Sequence, residues 1–378
     1  MKTRTRLTAA ASVVALLGVV GTTGATSASA ATKAKSVKCS GLKLAFLGAL
    51  SGDNGALGQN MVDGAQIALD EWNKTNKSCK IKMDKYDSQG DPSQASPLAS
   101  KIVTDKKVIG LIGPGFSGET KATMPTFEEA GLTMITPGAT NAKLSENGWK
   151  TFHRILANDD KQGPGIVALI KKTGKKVGVI DDASEYGKGL ADNVRTGLGA
   201  LKVADDVVAQ GTDPSTAVNK MKAAGVDTVF YGGYYADAAK LVKAMRDAGV
   251  TAQFVGGDGV LDQKFIDNAG ASAEGSLLTA TGAPADINPA FQAKFKAKYA
   301  GKDPAIYGPE AYDCASVFLA ALKAGKLDRK SIGAFVSAYD AEGVTKRIKF
   351  TATGEVAGDA VYSYKVEGAK LKSLGIIK

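Results

Sequence analysis

The chain has 378 residues, with 48 basic against 38 acidic side chains, one histidine, three cysteines and a formal net charge of +10 at pH 7. At about 100–200 residues per domain, this length predicts two domains. The basic residues are spread along the chain without interleaved aromatics, which excludes a nucleic-acid-binding stripe. No Cys/His spacing suits a metal ion.

The first 30 residues predict a secretory signal peptide. Basic residues within 1–6 precede an apolar run at 9–21, and the A-x-A sequence at 28–30 is a cleavage site that would make Ala31 the first mature residue. The run falls short of the roughly 20 apolar residues that span a bilayer, and an uncleaved anchor is the alternative. We therefore expect an exported protein, soluble after cleavage, that works in a periplasm, at the cell envelope or outside the cell.

Short apolar runs alternate with helical patterns along the chain. In the first half these runs predict strands at 42–47, 81–86, 108–113 and 132–135. In the second half they predict strands at 176–180, 203–209, 228–231 and 253–256. Such alternation indicates two α/β domains, each with a parallel sheet covered on both faces. Residues 288–339 read as mostly helical, and 347–364 as a hairpin that turns at 353–354.

Two of the cysteines precede predicted strands. Cys39 lies just before the first strand and Cys79 just before the second. If those strands are parallel neighbours, both cysteines lie at the same end of the sheet. In an oxidising compartment this placement predicts a Cys39–Cys79 disulfide. Cys314 lies in an apolar helical pattern and is expected to be buried and reduced.

The loops after the strands are where open α/β sheets bind ligands. Residues 113–118 match G-x-G-x-x-G but follow the third strand and lack the acid that a dinucleotide site needs. What is left is a helix N-terminus with the Ser117 hydroxyl, which suits a carboxylate or a phosphate, or else an ordinary serine N-cap. Gly138 and Thr140 follow the next strand. Asp258, between two glycines, is either a turn residue or a carboxylate offered to a cation.

Catalytic constellations are poor in this chain. The single histidine, His153, lies in a strand-like segment between the halves and reads as structural. There is no G-x-S-x-G nucleophile elbow. The residues at the strand ends are hydroxyls, glycines, aromatics and one acid, which suit the binding of a ligand. We therefore expect a protein that is not an enzyme and needs no cofactor.

Several segments resemble those of type I periplasmic solute-binding proteins, in particular the leucine/isoleucine/valine-binding group that feeds ABC importers. The resemblance rests on segments 134–140, 160–164, 185–191 and 231–234. It implies two Rossmann-like, doubly wound lobes joined by a three-crossing hinge. The implied boundaries are 41–157 with 282–357 for the first lobe, and 158–281 with 358–378 for the second.

The resemblance also implies a ligand site in the cleft between the lobes. By position, the family's ligand contacts fall on Ser117, Gly138, Thr140, Tyr186, Tyr234, Asp258 and Tyr307. The first three would hold an α-carboxylate, Asp258 would meet an α-ammonium, and the tyrosines would close over the ligand and line its side-chain pocket. Three positions depart from the family pattern, since Phe116 replaces a small residue, Leu57 an aromatic, and Asp258 a glutamate that is one methylene longer.

What the resemblance implies is a monomeric amino-acid-binding protein of an ABC importer. Its ligand would be a branched-chain or other apolar amino acid, and its partner a membrane permease. Amides or small aromatic acids are alternative ligands within the family. An alternative from another class is the ligand-sensing subunit of a signalling receptor.

Overall fold

Two sheets organise the chain. The computed structural model describes residues 38–39, 41–358 and 360–377, so the predicted leader and its cleavage site lie outside the described residues. The first sheet has the order β2-β1-β3-β4 and is parallel throughout. Its strands are β1 (Lys43–Gly48), β2 (Lys82–Asp87), β3 (Val108–Ile112) and β4 (Met134–Ile135).

The second sheet has the order β13-β12-β9-β8-β7-β5-β6. The remaining strands in chain order are β5 (Val177–Asp181), β6 (Lys202–Val207), β7 (Thr228–Gly232), β8 (Gln253–Gly256), β9 (Leu277–Ala280), β10 (Asp340–Glu342), β11 (Arg347–Lys349), β12 (Tyr362–Glu367) and β13 (Lys370–Ile376). β5 to β9 run parallel, whereas β12 pairs antiparallel with β9, and β13 pairs antiparallel with β12. The sequence did not predict this antiparallel edge.

Helices connect the strands. They are α1 (Gly55–Thr75), α2 (Pro92–Thr104), α3 (Ser117–Glu129), α4 (Asp159–Lys171), α5 (Glu185–Leu198), α6 (Ser215–Ala224), α7 (Tyr235–Asp247), α8 (Gln263–Ala269), α9 (Pro289–Lys298), α10 (Gly308–Lys323) and α11 (Arg329–Ser337). Within the described residues, no helix combines the length and the apolar character needed to cross a bilayer.

Strand β1 shows why the first sheet is covered on both faces. Leu44 and Phe46 join the apolar cluster that contains α1 and α10, while Ala45 and Leu47 join the cluster of α2 and α3. Successive side chains on a strand point to opposite faces, so an unbroken apolar run marks a strand buried on both sides. The predicted α/β architecture is confirmed.

The chain crosses between the two sheets three times. It leaves the first sheet after β4 and builds the second from β5 to β9. Helix α10 then returns to pack on α1 and β3, where Phe318 lies directly over Gly110. Finally β12 and β13 join the second sheet. Below, the first lobe means the elements around the first sheet and the second lobe those around the second; the residue boundaries given above stay a prediction.

The predicted hairpin over 347–364 is wrong in extent. A tight turn does form, with the Gly354 amide donating to the Thr351 carbonyl oxygen at 3.0 Å. However, β11 pairs with β10, and β12 pairs with β9 and β13. The reason is topological, because the chain passes from the first lobe to the second between β11 and β12.

The predicted disulfide is confirmed. Strands β1 and β2 are parallel neighbours in register, and Cys39 and Cys79, just before them, are bonded with their Cα atoms 4.8 Å apart. The indole nitrogen of Trp72 donates to the Cys79 carbonyl oxygen at 2.6 Å and packs α1 over this end of the sheet. Cys314 is a buried free thiol on α10, as predicted.

Candidate functional site

Asp258 is the centre of the candidate site. It follows β8 and is fully buried. The Tyr186 hydroxyl, from α5, donates to Asp258 Oδ1 at 2.6 Å, and the Tyr307 hydroxyl donates to Oδ2 at 2.9 Å. Burial raises the pKa of the Asp258 carboxyl, while the two phenols oppose that rise. Because Tyr307 precedes α10 of the first lobe, this acid is bonded from both lobes.

The backbone around Asp258 is shaped for the close approach of rings. A Cβ on Gly257 would lie 2.6 Å from the Tyr186 hydroxyl, and a Cβ on Gly259 would lie 2.8 Å from a carbon of the same ring. The flanking glycines thus admit Tyr186, whose hydroxyl also accepts the Gly259 amide at 3.0 Å. Tyr307 has a φ of 68°, a left-handed backbone that bulky residues rarely adopt.

A second buried acid, Asp159, lies near Asp258 and was missed by the sequence analysis. It is the first residue of α4, and neither of its carboxylate oxygens has a hydrogen-bond partner in the described part of the chain. Burial and, next, the charge of Asp258 raise the pKa of Asp159 well above its ordinary value. The signal was in the sequence, because Asp159 immediately precedes the family-like segment at 160–164.

Further oxygen atoms complete this polar pocket. The Thr140 hydroxyl is buried and has no hydrogen-bond partner among the described residues. It lies close enough to Asp159 to oppose the rise in the pKa of that carboxyl. The Thr140 carbonyl accepts the Asp159 amide at 2.9 Å. The Gln162 side-chain nitrogen donates to the Thr279 hydroxyl at 3.1 Å, while its side-chain oxygen finds no partner among the residues that the structure describes. Such a set of acceptors in a dry pocket complements a positively charged group with several N–H donors.

The other end of the cleft is built from a helix N-terminus and a loop. Helix α3 begins at Ser117, with Phe116 rather than the serine as its N-cap. The Ser117 hydroxyl accepts the Asn141 amide at 3.2 Å, which leaves its proton available to a ligand. The first-turn amides of a helix have no intrahelical partner, so they can bind an anion.

The loop after β4 is held tightly beside Ser117. The Thr136 hydroxyl donates to the Pro114 carbonyl at 2.7 Å and accepts the Ala139 amide at 3.0 Å. A Cβ on Gly138 would lie 2.8 Å from the backbone carbonyl oxygen of Gly115, so this position favours glycine. We call Ser117 and the loop 137–141 the carboxylate cradle, and Asp159 with Asp258 the acid pair.

Aromatic rings from both lobes line the cleft. Phe116 stacks on Tyr234 with ring centroids 4.6 Å apart, and Tyr234 lies 5.1 Å from Tyr186. All three side chains are buried. Phe116, noted above as a departure from the family pattern, therefore contributes an apolar wall.

Polar contacts also join the lobes outside this wall. The Lys121 ammonium pairs with the Glu185 carboxylate at 3.0 Å, and the Asn141 side chain donates to the Glu185 carbonyl at 2.7 Å. Asn60 on α1 donates to Asp262 at 3.0 Å. The two lobes are thus in contact on both sides of the candidate site.

The predicted site residues contact one another in the structure. Hydrogen bonds join Tyr186 and Tyr307 to Asp258, ring contacts join Tyr234 to Tyr186, and the Ser117 hydroxyl binds the loop that carries Gly138 and Thr140. His153 packs edge-on against Phe350. Burial lowers the pKa of His153 to about 4.

Comparison with known proteins places this site in a family context. The family described as periplasmic binding protein matches residues 41–370. An amino acid binding protein of Pseudomonas aeruginosa is 31% identical over 337 residues, covering 85% of this chain and 89% of the relative. The Leu/Ile/Val/Thr-binding protein of Salmonella typhimurium is 36% identical over 248 residues, covering 63% and 67%.

Among solved structures, a similar one is the branched-chain amino acid transporter substrate-binding protein LivJ from Streptococcus pneumoniae, in complex with isoleucine. Its TM-score is 0.81 at 28% identity, and the match covers 88% of this chain and 99% of that one.

Proposed function

Because this chain belongs to the periplasmic binding protein family, we propose that it is the extracytoplasmic binding protein of an ABC importer and takes an apolar α-amino acid, branched-chain ones foremost. The ligand lies between the carboxylate cradle and the acid pair. The protein acts by binding, without chemistry on its ligand.

The observation that carries this proposal is the buried carboxyl of Asp159 beside Asp258, for which the described part of the chain supplies no hydrogen-bond partner. A carboxylate buried without a partner is very costly, so Asp159 holds its proton until a cation lies beside it. An α-ammonium has three N–H donors and one positive charge. It can donate to Asp258, to Asp159 and to the Thr140 hydroxyl, and thereby satisfy atoms that the protein leaves open.

The carboxylate cradle supports the second half of an amino acid. The Ser117 hydroxyl and the first-turn amides of α3 offer donors to a carboxylate, with the helix dipole in the favourable sense. Glu119, in that first turn, is buried, and burial raises its pKa to about 7. Its partial protonation near neutral pH weakens the repulsion that a second anion would otherwise meet there.

The aromatic wall supports an apolar ligand side chain. Phe116, Tyr186 and Tyr234 offer ring faces from both lobes. Burying a Val, Leu or Ile side chain is worth about 1.5–3 kcal/mol. An aromatic acid or a neutral amide would match this wall too, but it would leave the acid pair without a counter-charge. That difference favours an amino acid over the alternative ligands.

The cellular setting belongs to the same proposal. The N-terminal signal pattern supports export, and the family supports a membrane permease as the partner that accepts the ligand. A sensing subunit of a receptor would use the same site. The two roles differ in the partner bound, so co-purification with a permease from membranes distinguishes them.

A thermal-shift screen tests the ligand. Each common amino acid is compared with two truncated analogues of the best hit: the des-amino carboxylic acid and the carboxamide. A ligand at 100 times its Kd stabilises the native state by about 2.7 kcal/mol. We expect the largest stabilisation by apolar amino acids, a smaller one by the carboxamide, which keeps the ammonium, and none by the des-amino acid. Stabilisation by des-amino acids or benzoate, with none from amino acids, would contradict the proposal.

A further inference from the structure

A buried arginine lies behind the carboxylate cradle. Arg154 follows β4 in the first crossing between the lobes, and its side chain is fully buried. It forms isolated parallel bridges with Thr136 on one side and Glu355 on the other. Arg154 lies behind the carboxylate cradle, where the first crossing meets the loop 137–141.

One nitrogen of Arg154 holds two carbonyl groups of the cradle. Its Nη1 donates to the Ala139 carbonyl oxygen at 2.9 Å and to the Asn141 carbonyl oxygen at 2.8 Å. The carbonyl between them, on Thr140, accepts the Asp159 amide. Three successive carbonyls are therefore hydrogen-bonded, which fixes the peptide planes on both sides of Thr140.

The rest of the guanidinium binds the last crossing. Nε of Arg154 donates to Glu355 Oε2 at 3.1 Å, and Nη2 pairs with Oε1. Glu355 Oε1 also accepts the Asn158 side chain at 3.3 Å, and Asn158 caps the helix that Asp159 begins. Glu355 thus contacts both Arg154, which holds the cradle loop, and Asn158 at the start of α4.

We propose that the Arg154–Glu355 pair is a positioning device that fixes Thr140 and Asp159 for the ligand and ties them to the first and last crossings of the hinge. This rests on the proposed function, since it concerns the same site. A forked arginine–carboxylate pair is rigid and strong, which suits it to hold geometry. Binding groups misplaced by a fraction of an ångström lose much of their effect.

Conservative substitution tests the proposal. Arg154→Lys keeps the charge but lacks the fork, so it cannot hold both carbonyls and Glu355 together. The matched control is Arg329→Lys. Arg329 also binds carbonyls, those of Val108 at 2.9 Å and Asp105 at 3.0 Å, at the N-terminal end of β3.

The readouts are calorimetric Kd for the best amino acid from the screen and the unfolding midpoint without ligand. Both lysine variants should unfold at lower temperature. Only Arg154→Lys should bind more weakly, by about 10- to 100-fold, the equivalent of one charge-assisted hydrogen bond, while Arg329→Lys stays within about twofold. Because Arg154 acts through Thr140, its effect should shrink in a Thr140→Val background.

Wild-type affinity in folded Arg154→Lys would overturn the proposal and leave the pair a purely structural contact. Full additivity with Thr140→Val would also overturn it. If Arg154→Lys does not fold, Glu355→Gln takes its place, with about tenfold weaker binding expected and an unchanged Kd counting against the proposal. Failure of the proposed function looks different, because then the wild-type protein itself binds no amino acid.

Discussion

The two ends of the cleft differ most between Ser117 and Asp159. Asp258 in the acid pair accepts two phenol hydroxyls, and the Thr140 hydroxyl of the cradle loop has no partner among the described residues. In the carboxylate cradle, the Ser117 hydroxyl already binds the Asn141 amide, and the Thr136 hydroxyl already binds the Ala139 amide. In the acid pair, Asp159 has no hydrogen-bond partner for its carboxylate within the described residues.

This difference separates preorganisation from selection. The cradle is fixed before any ligand arrives, so an incoming carboxylate adds bonds to a finished scaffold. The acid pair is incomplete, because burial favours the protonated form of Asp159; a ligand that brings a cation supplies the missing partner and allows this carboxyl to ionise. We infer that the acid pair decides which class of ligand binds, and that the cradle refines affinity and orientation.

The largest expected effect follows from removing the central acid. Asp258→Ala should weaken amino-acid binding by roughly 10² to 10³-fold or more, because breaking a buried ion pair costs about 3–5 kcal/mol. Isothermal titration calorimetry with the best ligand measures this loss.

Asp258→Asn separates charge from size, since it keeps the shape but not the negative charge. We expect nearly the same loss as for alanine. If Asp258→Ala binds as tightly as the wild type, the ligand has no ammonium at that position, and the amide or aromatic-acid alternative takes precedence.

The second acid should give the next largest effect. Asp159→Asn should weaken binding by about 100-fold, because an ammonium loses one charged hydrogen-bond partner, worth up to about 3 kcal/mol. Asp160→Asn is the matched control, since Asp160 is the next residue along α4 but is exposed. Equal losses in both variants would show that the helix terminus, rather than the pocket, carries the effect.

Asp159 also predicts a pH dependence with a definite sign. Its pKa is raised in the unliganded protein, and an ammonium needs the carboxylate charged, so binding releases a proton below that raised pKa. Affinity should therefore rise with pH through the raised pKa. The stability of the unliganded protein should change with pH in the opposite direction. The contribution of Asp159 to the free energy of unfolding is fully present below its ordinary pKa, and it is lost as the pH rises through the raised pKa of the folded state.

Calorimetry in buffers of different ionisation enthalpy measures this proton release directly. Asp159→Asn should reduce it and flatten both pH profiles. A release that is the same in Asp159→Asn and in the wild type would assign the proton to another group, with Asp258 the first to test.

A substitution in the carboxylate cradle should weaken binding less than one in the acid pair. Ser117→Ala removes one neutral donor to a carboxylate and costs about tenfold in Kd, toward the lower end of 1.5–3 kcal/mol, since the helix amides stay in place. Titration calorimetry at the same pH allows a direct comparison. A loss as large as that of Asp258→Ala would reverse the assignment of the two ends.

Much of this site was within reach of the sequence. Strand–helix alternation placed the loops, and the resemblance placed Asp258 and its tyrosines. Asp159 was missed because an aspartate after an asparagine cap is ordinary at a helix start, where it favours the helix dipole. Nothing local in the sequence shows that this carboxylate is buried.

Arg154 was missed for a related reason. Arginine is almost never fully buried unless it is paired. Its partner Glu355 is 201 positions further along the chain, and the carbonyls it holds lie in a loop whose course only the fold defines. Long-range pairing of this kind leaves no periodic signal in a single sequence.

The smallest expected effect concerns the phenol that donates to Asp258. Tyr186→Phe removes a hydrogen bond that lowers the pKa of Asp258, so that pKa should rise and binding at fixed pH should weaken by about threefold. Tyr231→Phe is the matched control, because the Tyr231 hydroxyl is buried without a partner among the described residues. Since Tyr186→Phe acts by raising the pKa of Asp258, raising the pH should restore its affinity toward the wild-type value. If raising the pH leaves the gap between Tyr186→Phe and the wild type unchanged, the phenol contributes by direct contact with the ligand instead.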